Sequence, residues 1–125
     1  LSLADNLRLQ MDLARKPDAT RLDMLLERLG LAQRRGALPG QLSGGELARA
    51  GLAVALAAAP AVLLADEPTG EVDAATEAQV LDFFDEQRKA GVAALIATHS
   101  QALAARATRV VTIEDGRIGN ARSAG

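Results

Sequence analysis

Apolar residues recur at helical spacing in the first half of the chain and in short unbroken runs in the second. In "DATRLDMLLERLGL", Leu22, Leu25, Leu26 and Leu29 share one helical face, and Gly30 is placed to end the helix. "ADNLRLQMDLA" predicts a shorter helix before it. Met11 and Met24 lie within these two helices and read as core residues. "AQRRGALPGQ" is a loop punctuated by Pro39 and Gly40, with Arg34 and Arg35 as solvated charges. The Ala/Leu run "LARAGLAVALAAA" predicts a helix from about Gly44 to Ala59, stopped by Pro60. Beyond Pro60 the period changes. "AVLLA" and "VAALIAT" read as strands buried on both faces. Between them "AATEAQVLDFFDEQRKAG" is a helix with Val80, Leu81, Phe84 and Arg88 on successive turns, closed by Gly91. "SQALAARA" is a short helix, "TRVVTIEDGRIGN" a hairpin turning at Asp115–Gly116, and "ARSAG" a frayed tail. No internal repeat is visible.

The strand–helix–strand alternation predicts an α/β fold with a parallel sheet and right-handed crossovers. The expected organisation is a helical subdomain over residues 1–59, an α/β part over 60–120, and a tail over 121–125. A chain of 125 residues is one domain at most, yet long enough to bury a core. Its 49% hydrophobic and 24% charged content is ordinary for a globular protein. A net charge of −2 argues against a nucleic-acid surface built on bulk positive charge. With no cysteine there are no disulfides or thiolate metal sites, and one histidine argues against an all-protein zinc site. The only aromatics, Phe83 and Phe84, provide no row of rings for stacking bases. The longest uncharged run, Ala50 to Ala65, is 16 residues and contains Pro60, short of the roughly 20 that a membrane span needs. No signal peptide is visible, and a first residue of Leu1 suggests a start inside a longer gene product.

Three stretches carry chemistry. "LSGGE", Leu42 to Glu46, is first a helix cap: Ser43 and Glu46 have the spacing of a capping box. The cap does not account for Gly44 and Gly45, each of which costs a helix roughly 1 kcal/mol against alanine. Their benefit would be open amides at the positive end of a helix, where an anion can sit. From this stretch alone both readings stand. In "VLLADEPTGEVD" an apolar strand ends in two adjacent carboxylates, Asp66 and Glu67. Ligand sites of open α/β sheets lie at such strand ends. Asp66 is suited to holding Mg²⁺ through water, and Glu67 to polarising an attacking water. The alternative is a solvated strand end with two ordinary acids. His99 ends the second strand. It could hydrogen-bond a terminal phosphate or the attacking water, or serve only as a structural histidine.

The order L-S-G-G-E, helix, apolar strand, D-E-P-T-G-x-x-D, helix, apolar strand, T-H-S resembles the ABC-type ATPases, the nucleotide-binding subunits of ATP-binding-cassette transporters. The resemblance spans nearly the whole chain, and its four motifs agree in order and spacing. It implies that Ser43, Gly44, Gly45 and Glu46 form the signature motif, with Glu46 in place of the commoner glutamine. It implies that Asp66 is the Walker B position for Mg²⁺, Glu67 the catalytic glutamate, Asp73 the D-loop acid that couples two sites, and His99 the switch histidine. The "DEPTG" wording leans toward the subgroup serving lipoprotein release and macrolide-type efflux. ATP and Mg²⁺ are the implied ligands. A second ATPase subunit in a head-to-tail dimer and a transmembrane permease are the implied partners, with no nucleic acid. The implied location is cytoplasmic, on the inner face of the membrane through the permease.

Some features depart from the family pattern. Leu47 and Ala48 precede Arg49 where the family often has glutamines, and Val54 stands where a second arginine is usual. No G-x-x-x-x-G-K-[ST] occurs, and the only lysines, Lys16 and Lys89, do not follow a glycine. Gln10 is not in a Q-loop context. The resemblance therefore covers the helical subdomain and second half of a catalytic core, without the Walker A strand. In the family, the signature motif caps the γ-phosphate of ATP held by a partner, so cap and anion site would be one structure. A strand edge left without that neighbour is expected to drive self-association. Two other readings stay open: a non-transport ABC ATPase of DNA repair or translation, and a non-catalytic interaction module.

Overall fold

The computed structural model describes residues 1–123. In chain order the elements are α1 (Leu3–Leu13), α2 (Ala19–Arg28), two 3-10 turns at Ala32–Arg34 and Pro39–Gln41, α3 (Gly44–Ala57), β1 (Val62–Asp66), α4 (Ala74–Lys89), β2 (Ala93–Ala97), α5 (Gln101–Arg106), β3 (Arg109–Glu114) and β4 (Arg117–Ser123). Each α-helix starts on a side-chain oxygen. Ser2, Asp18, Ser43, Asp73 and Ser100 accept from the amides of Asp5, Arg21, Glu46, Thr76 and Leu103. α3 stops two residues before the predicted Ala59, which has φ +51 and precedes Pro60. The residue before a proline is disfavoured in the helical region.

β1 and β2 are parallel and joined through α4, in register from Val62 opposite Ala93 to Asp66 opposite Ala97. The predicted parallel pair and mixed α/β architecture are therefore present. β3 and β4 form the predicted hairpin, with a bulge between Thr112 and Ile113. Its two-residue turn has φ +49 at Asp115 and φ +74 at Gly116, as a primed turn requires.

One apolar core joins both halves. Leu7, Met11, Leu25, Leu26, Leu31 and Leu56 are fully buried among the helices, and Leu63, Val80 and Phe83 extend that core to β1 and α4. Three expectations need correction. Met24 is 42% exposed. It lies two residues from both Leu22 and Leu26, about 200° around the helix from each, on the opposite face. Neither strand is buried on both faces: Leu63 is covered, whereas Val62, Leu64 and Leu95 are 56–72% exposed. The helices cover one face of the two-stranded sheet, and among the described residues nothing covers the other. Arg34 and Arg35 are exposed, as expected, and pair at the surface with Glu46 (3.1 Å) and Asp23 (3.0 Å). Finally, Ala121 to Ser123 belong to β4, paired with Val111 to Arg109. Only Ala124 and Gly125 of the predicted tail lie outside the described residues. No helix among those residues is long and apolar enough to cross a membrane.

Two arginines tie α2 to α3. From the first turn of α2, Arg21 donates through Nη2 to the Leu56 carbonyl (2.6 Å) and through Nε to the Ala57 carbonyl (3.2 Å). From the second turn of α3, Arg49 donates through Nη1 to the Leu29 carbonyl (2.9 Å). Each cation sits at the carbonyl end of the other helix, where the macrodipole favours it. The helices are antiparallel, with their relative sliding blocked at both ends.

The start of α3 touches the start of α4. A Cβ on Gly45 would lie 2.9 Å from Thr76 Oγ1, whereas one on Gly44 would meet nothing within 4 Å. The two glycines therefore have different reasons: Gly45 lets α4 approach, and Gly44 leaves its surroundings open. Gly44→Ala is expected to raise the urea midpoint by up to about 1 kcal/mol of stability through helix propensity. Gly45→Ala is expected to lower it, since Thr76 must move. Equal stabilisation by both would show that the α3–α4 contact is slack.

The capping carboxylates also set an acid limit. Ser2, mainly through its hydroxyl, lowers the Asp5 pKa. The Ser43 amide and then Arg34 lower that of Glu46, and the Thr76 amide and hydroxyl lower that of Asp73. A carboxyl with a folded pKa below its unfolded value stabilises the fold above the unfolded value, and that contribution is lost as pH falls through the folded one. Far-ultraviolet helicity should therefore hold from neutral pH to about 5 and decline below about 4, the ordinary carboxylate range. A loss of helicity centred near pH 6 would point to other groups.

Candidate functional site

The site begins where β1 ends. Asp66 is the last residue of the strand, opposite Ala97, and is exposed. Glu67 follows with φ +48, a left-handed backbone on a residue with a side chain. Such a conformation costs roughly 1–2 kcal/mol and persists only where its surroundings enforce it. They do so here: the Glu67 amide donates to the Ala97 carbonyl (2.8 Å), and the Glu67 carbonyl accepts from the Gly70 amide (3.0 Å). The predicted E-P-T-G turn is this loop. A Cβ on Gly70 would lie 3.3 Å from the Glu67 carbonyl oxygen, so a larger residue there would press on this turn.

From this position the Glu67 carboxylate meets the end of β2. His99 Nδ1 contacts Oε1, and the Thr98 hydroxyl donates to Oε2 at 3.3 Å. The His99 imidazole, aided by Thr98, holds the Glu67 carboxyl below its usual range, against the opposing effect of burial. An ionised carboxylate can only accept, so the proton shared with His99 sits on Nδ1. Nε2 of the neutral ring is then left as an acceptor. The His99 side chain is 99% exposed, so that nitrogen faces open space. A carboxylate has about four acceptor positions, so Glu67 keeps capacity for a further donor such as water.

Thr98 and Ser100 are the residues that motif reading missed. The Ser100 amide donates to Thr98 Oγ1 (2.9 Å), and the Ser100 hydroxyl donates to Glu77 Oε2 on α4 (2.9 Å). The signal for them was a hydroxyl on each side of the lone histidine at a strand end, a position where Ser and Thr bond locally to backbone.

The second cluster lies where α3 and α4 begin. Ser43 and Glu46 make the predicted capping box, the Ser43 amide donating to Glu46 Oε2 (3.0 Å) and the Glu46 amide to Ser43 Oγ (3.2 Å). Arg34 Nε holds the remaining oxygen, Oε1, at 3.1 Å. Gly44 is open and Gly45 abuts Thr76. Asp73 caps α4 by accepting from the Thr76 amide (2.7 Å). The structure thus gathers Glu67 and His99 at the strand ends, next to Asp66 in sequence. It gathers Ser43, Gly44, Gly45, Glu46 and Asp73 at the helix starts. The Ser100–Glu77 bond, one residue from Thr76, links the two groups.

Magnesium fits the first cluster by donor chemistry. Among the described residues no group of three or more histidines and carboxylates could cage a metal. Mg²⁺ does not require one, since it keeps several waters and binds through one or two carboxylates with substrate phosphates. Asp66 offers one such exposed carboxylate.

Comparisons with known proteins show the family and the fold. The family model described as ABC transporter matches residues 1–70. The lipoprotein-releasing system ATP-binding protein LolD 1 of Rhodospirillum rubrum is 47% identical over 107 residues, covering 85% of this chain and 47% of the relative. The macrolide export ATP-binding/permease protein MacB of the same organism is 41% identical over 120 residues, covering 94% of this chain and 18% of that protein. The chain thus spans about half, or less, of the curated relatives it matches. Among solved structures, the dimeric ABC transporter cassette MJ0796 superposes with a TM-score of 0.88 at 26% identity, covering all of this chain and 57% of the other. A second structure of that cassette, a dimeric post-hydrolysis state with ADP and phosphate, gives the same TM-score at 25% identity. The chain belongs to the ABC transporter family, as a part of its ATP-binding cassette.

Proposed function

We propose that this chain supplies the signature motif, Walker B strand, D-loop and switch histidine of an ABC ATPase that couples ATP binding and hydrolysis to transport across a membrane. The observation that carries the proposal is the Glu67–His99 contact at the carboxyl ends of two parallel strands. An ionised Glu67 accepts a proton from an attacking water as general base. His99, with Nδ1–H directed at Glu67, offers Nε2 as an acceptor toward the attacking water; a ring that also carries a proton on Nε2 would instead donate to a terminal phosphate. Asp66 is the residue that would hold Mg²⁺, which when bound neutralises charge on the phosphate oxygens.

The start of α3 has the other role. Ser43 and Glu46 fix the helix start, and open Gly44 exposes amides at its positive end. In the proposal these amides receive the γ-phosphate of ATP held by a second ATPase subunit in a head-to-tail dimer. Asp73 couples the two sites. Phosphoryl transfer depends mainly on positioning and charge stabilisation, so a site divided between chains makes hydrolysis depend on their closure. The division into residues 1–59 and 60–120 follows the same assignment, as does a place on the inner membrane face through a permease. The dimeric cassette MJ0796 and the ATP-binding and permease names of the relatives support this reading.

The 125 residues include no phosphate-binding loop. Calorimetric titration of this chain with Mg·ATP is therefore expected to give a Kd no tighter than about 1 mM, some 4 kcal/mol of binding. Micromolar binding would overturn the division of labour, because the phosphates would be held without such a loop.

The exposed face formed by Val62, Leu64 and Leu95 lies on a sheet of two strands. Unpaired strand edges and apolar faces recruit further chain, so the isolated chain is proposed to self-associate. Light scattering across a concentration series should show mass rising above the monomer. A constant monomer mass at the highest concentration would refute this.

A further inference from the structure

We propose that Thr98 is a positioning residue that fixes the Glu67 carboxylate and, through it, the tautomer and placement of the His99 ring. The proposal rests on the reading of Glu67 as the general base, and it concerns what holds that base in place. His99 cannot hold it, because its side chain is 99% exposed and its recorded side-chain contact is with Glu67 itself. An exposed imidazole with one contact follows its partner. Whatever orients Glu67 therefore orients both groups.

Two structures act on Glu67. Its left-handed backbone, bonded to Ala97 and Gly70, fixes where the side chain departs. Beyond that, a glutamate has three rotatable bonds, the last of them broad and roughly two-fold. Of the two side chains that meet the Glu67 carboxylate among the described residues, Thr98 is the one whose donor is itself anchored. Its oxygen accepts from the Ser100 amide at 2.9 Å, which directs its proton away from that amide and toward Glu67 Oε2 at 3.3 Å. Ser100 is fixed in turn. It caps α5 by accepting from the Leu103 amide (3.1 Å), and its hydroxyl donates to Glu77 on α4 (2.9 Å). The chain of bonds runs from α4 through Ser100 and Thr98 to one carboxylate oxygen, leaving the other for His99. Thr98 is half-buried, and its branched side chain is stiff at χ1. A flexible donor could not select one carboxylate rotamer in the same way.

His99 is the only histidine, so its ring nitrogens give one unambiguous set of signals in a ¹⁵N–¹H long-range correlation spectrum of the intact chain. Recorded at a pH where the nitrogen shifts themselves show a neutral ring, the spectrum reports which nitrogen carries the proton. The wild-type chain is expected to show an excess of the Nδ1–H form. Thr98→Val, close in shape but without a donor, should lower that fraction by about twofold or more, whereas Thr98→Ser should restore it. Thr98→Ala, measured alongside, gives the same readout if valine does not fold, with far-ultraviolet spectra checking each chain. Glu67→Ala, which removes both acceptor oxygens, is the control. If it leaves the tautomer ratio unchanged, the Glu67–His99 pair and the base reading built on it fail. If it shifts the ratio while Thr98→Val and Thr98→Ala do not, the pair stands and the role of Thr98 is overturned. Equal loss in the serine, valine and alanine variants would also overturn it, by showing a packing effect without a hydroxyl contribution.

Discussion

The reciprocal arginine ties between α2 and α3 hold the rest of this structure in place. The last carbonyls of a helix lack partners within it. Arg21 and Arg49 each supply the missing donors for the neighbouring helix. Removing such a charged donor from a part-buried carbonyl costs about 1–3 kcal/mol, more than an exposed ion pair contributes. The leucine core alone would let two helices slide by a fraction of a turn, because apolar contact has no direction. The arginines remove that freedom. As a result the start of α3, where Ser43, Gly44, Gly45 and Glu46 lie, has a defined height relative to α2 and the loop that carries Arg34.

The same economy of polar groups recurs at the site. Asp73 caps α4 while lying in the loop that follows the end of β1. Ser100 caps α5, donates to Glu77 and supports Thr98. Glu46 completes a capping box with one oxygen and binds Arg34 with the other. These three capping groups each also fix a neighbour of Glu67 or of the start of α3. Site geometry and helix capping are therefore not separable by mutation, and variants that look local at a cap alter the site as well.

Much of this was legible in the sequence, for identifiable reasons. The helices were readable because leucine spacing and Ser or Asp caps both mark them. The parallel strand pair followed from apolar runs separated by one helix, and the hairpin from Asp115–Gly116. The placement of Asp66, Glu67 and His99 was readable because each follows or ends an apolar strand run. Burial was less legible. A run such as "AVLLA" signals a strand, but whether Leu64 is covered depends on what packs against the second face. Periodicity did contain the answer for Met24, whose angular position opposes the leucine stripe. The Thr98–Glu67 contact and the left-handed backbone at Glu67 were not legible, since both arise only when two strands lie side by side in one register. The different needs of Gly44 and Gly45 were hidden for the same reason. Adjacent and identical in sequence, they differ only in whether Thr76 lies across from them.

Thr76 and Glu77 are consecutive residues in the first turn of α4, one against the start of α3 and the other bonded to the segment that carries His99. In mechanical terms this turn is a joint with a short arm. Gly45 at the start of α3 and Ser100 beside His99 are 55 positions apart in sequence, yet both bear on one helical turn whose hydrogen-bonded backbone is stiff. A push on either is transmitted as a rotation or shift of a rigid piece, with few soft torsions to absorb it. The number of independent motions open to the site is thus smaller than the number of loops that build it.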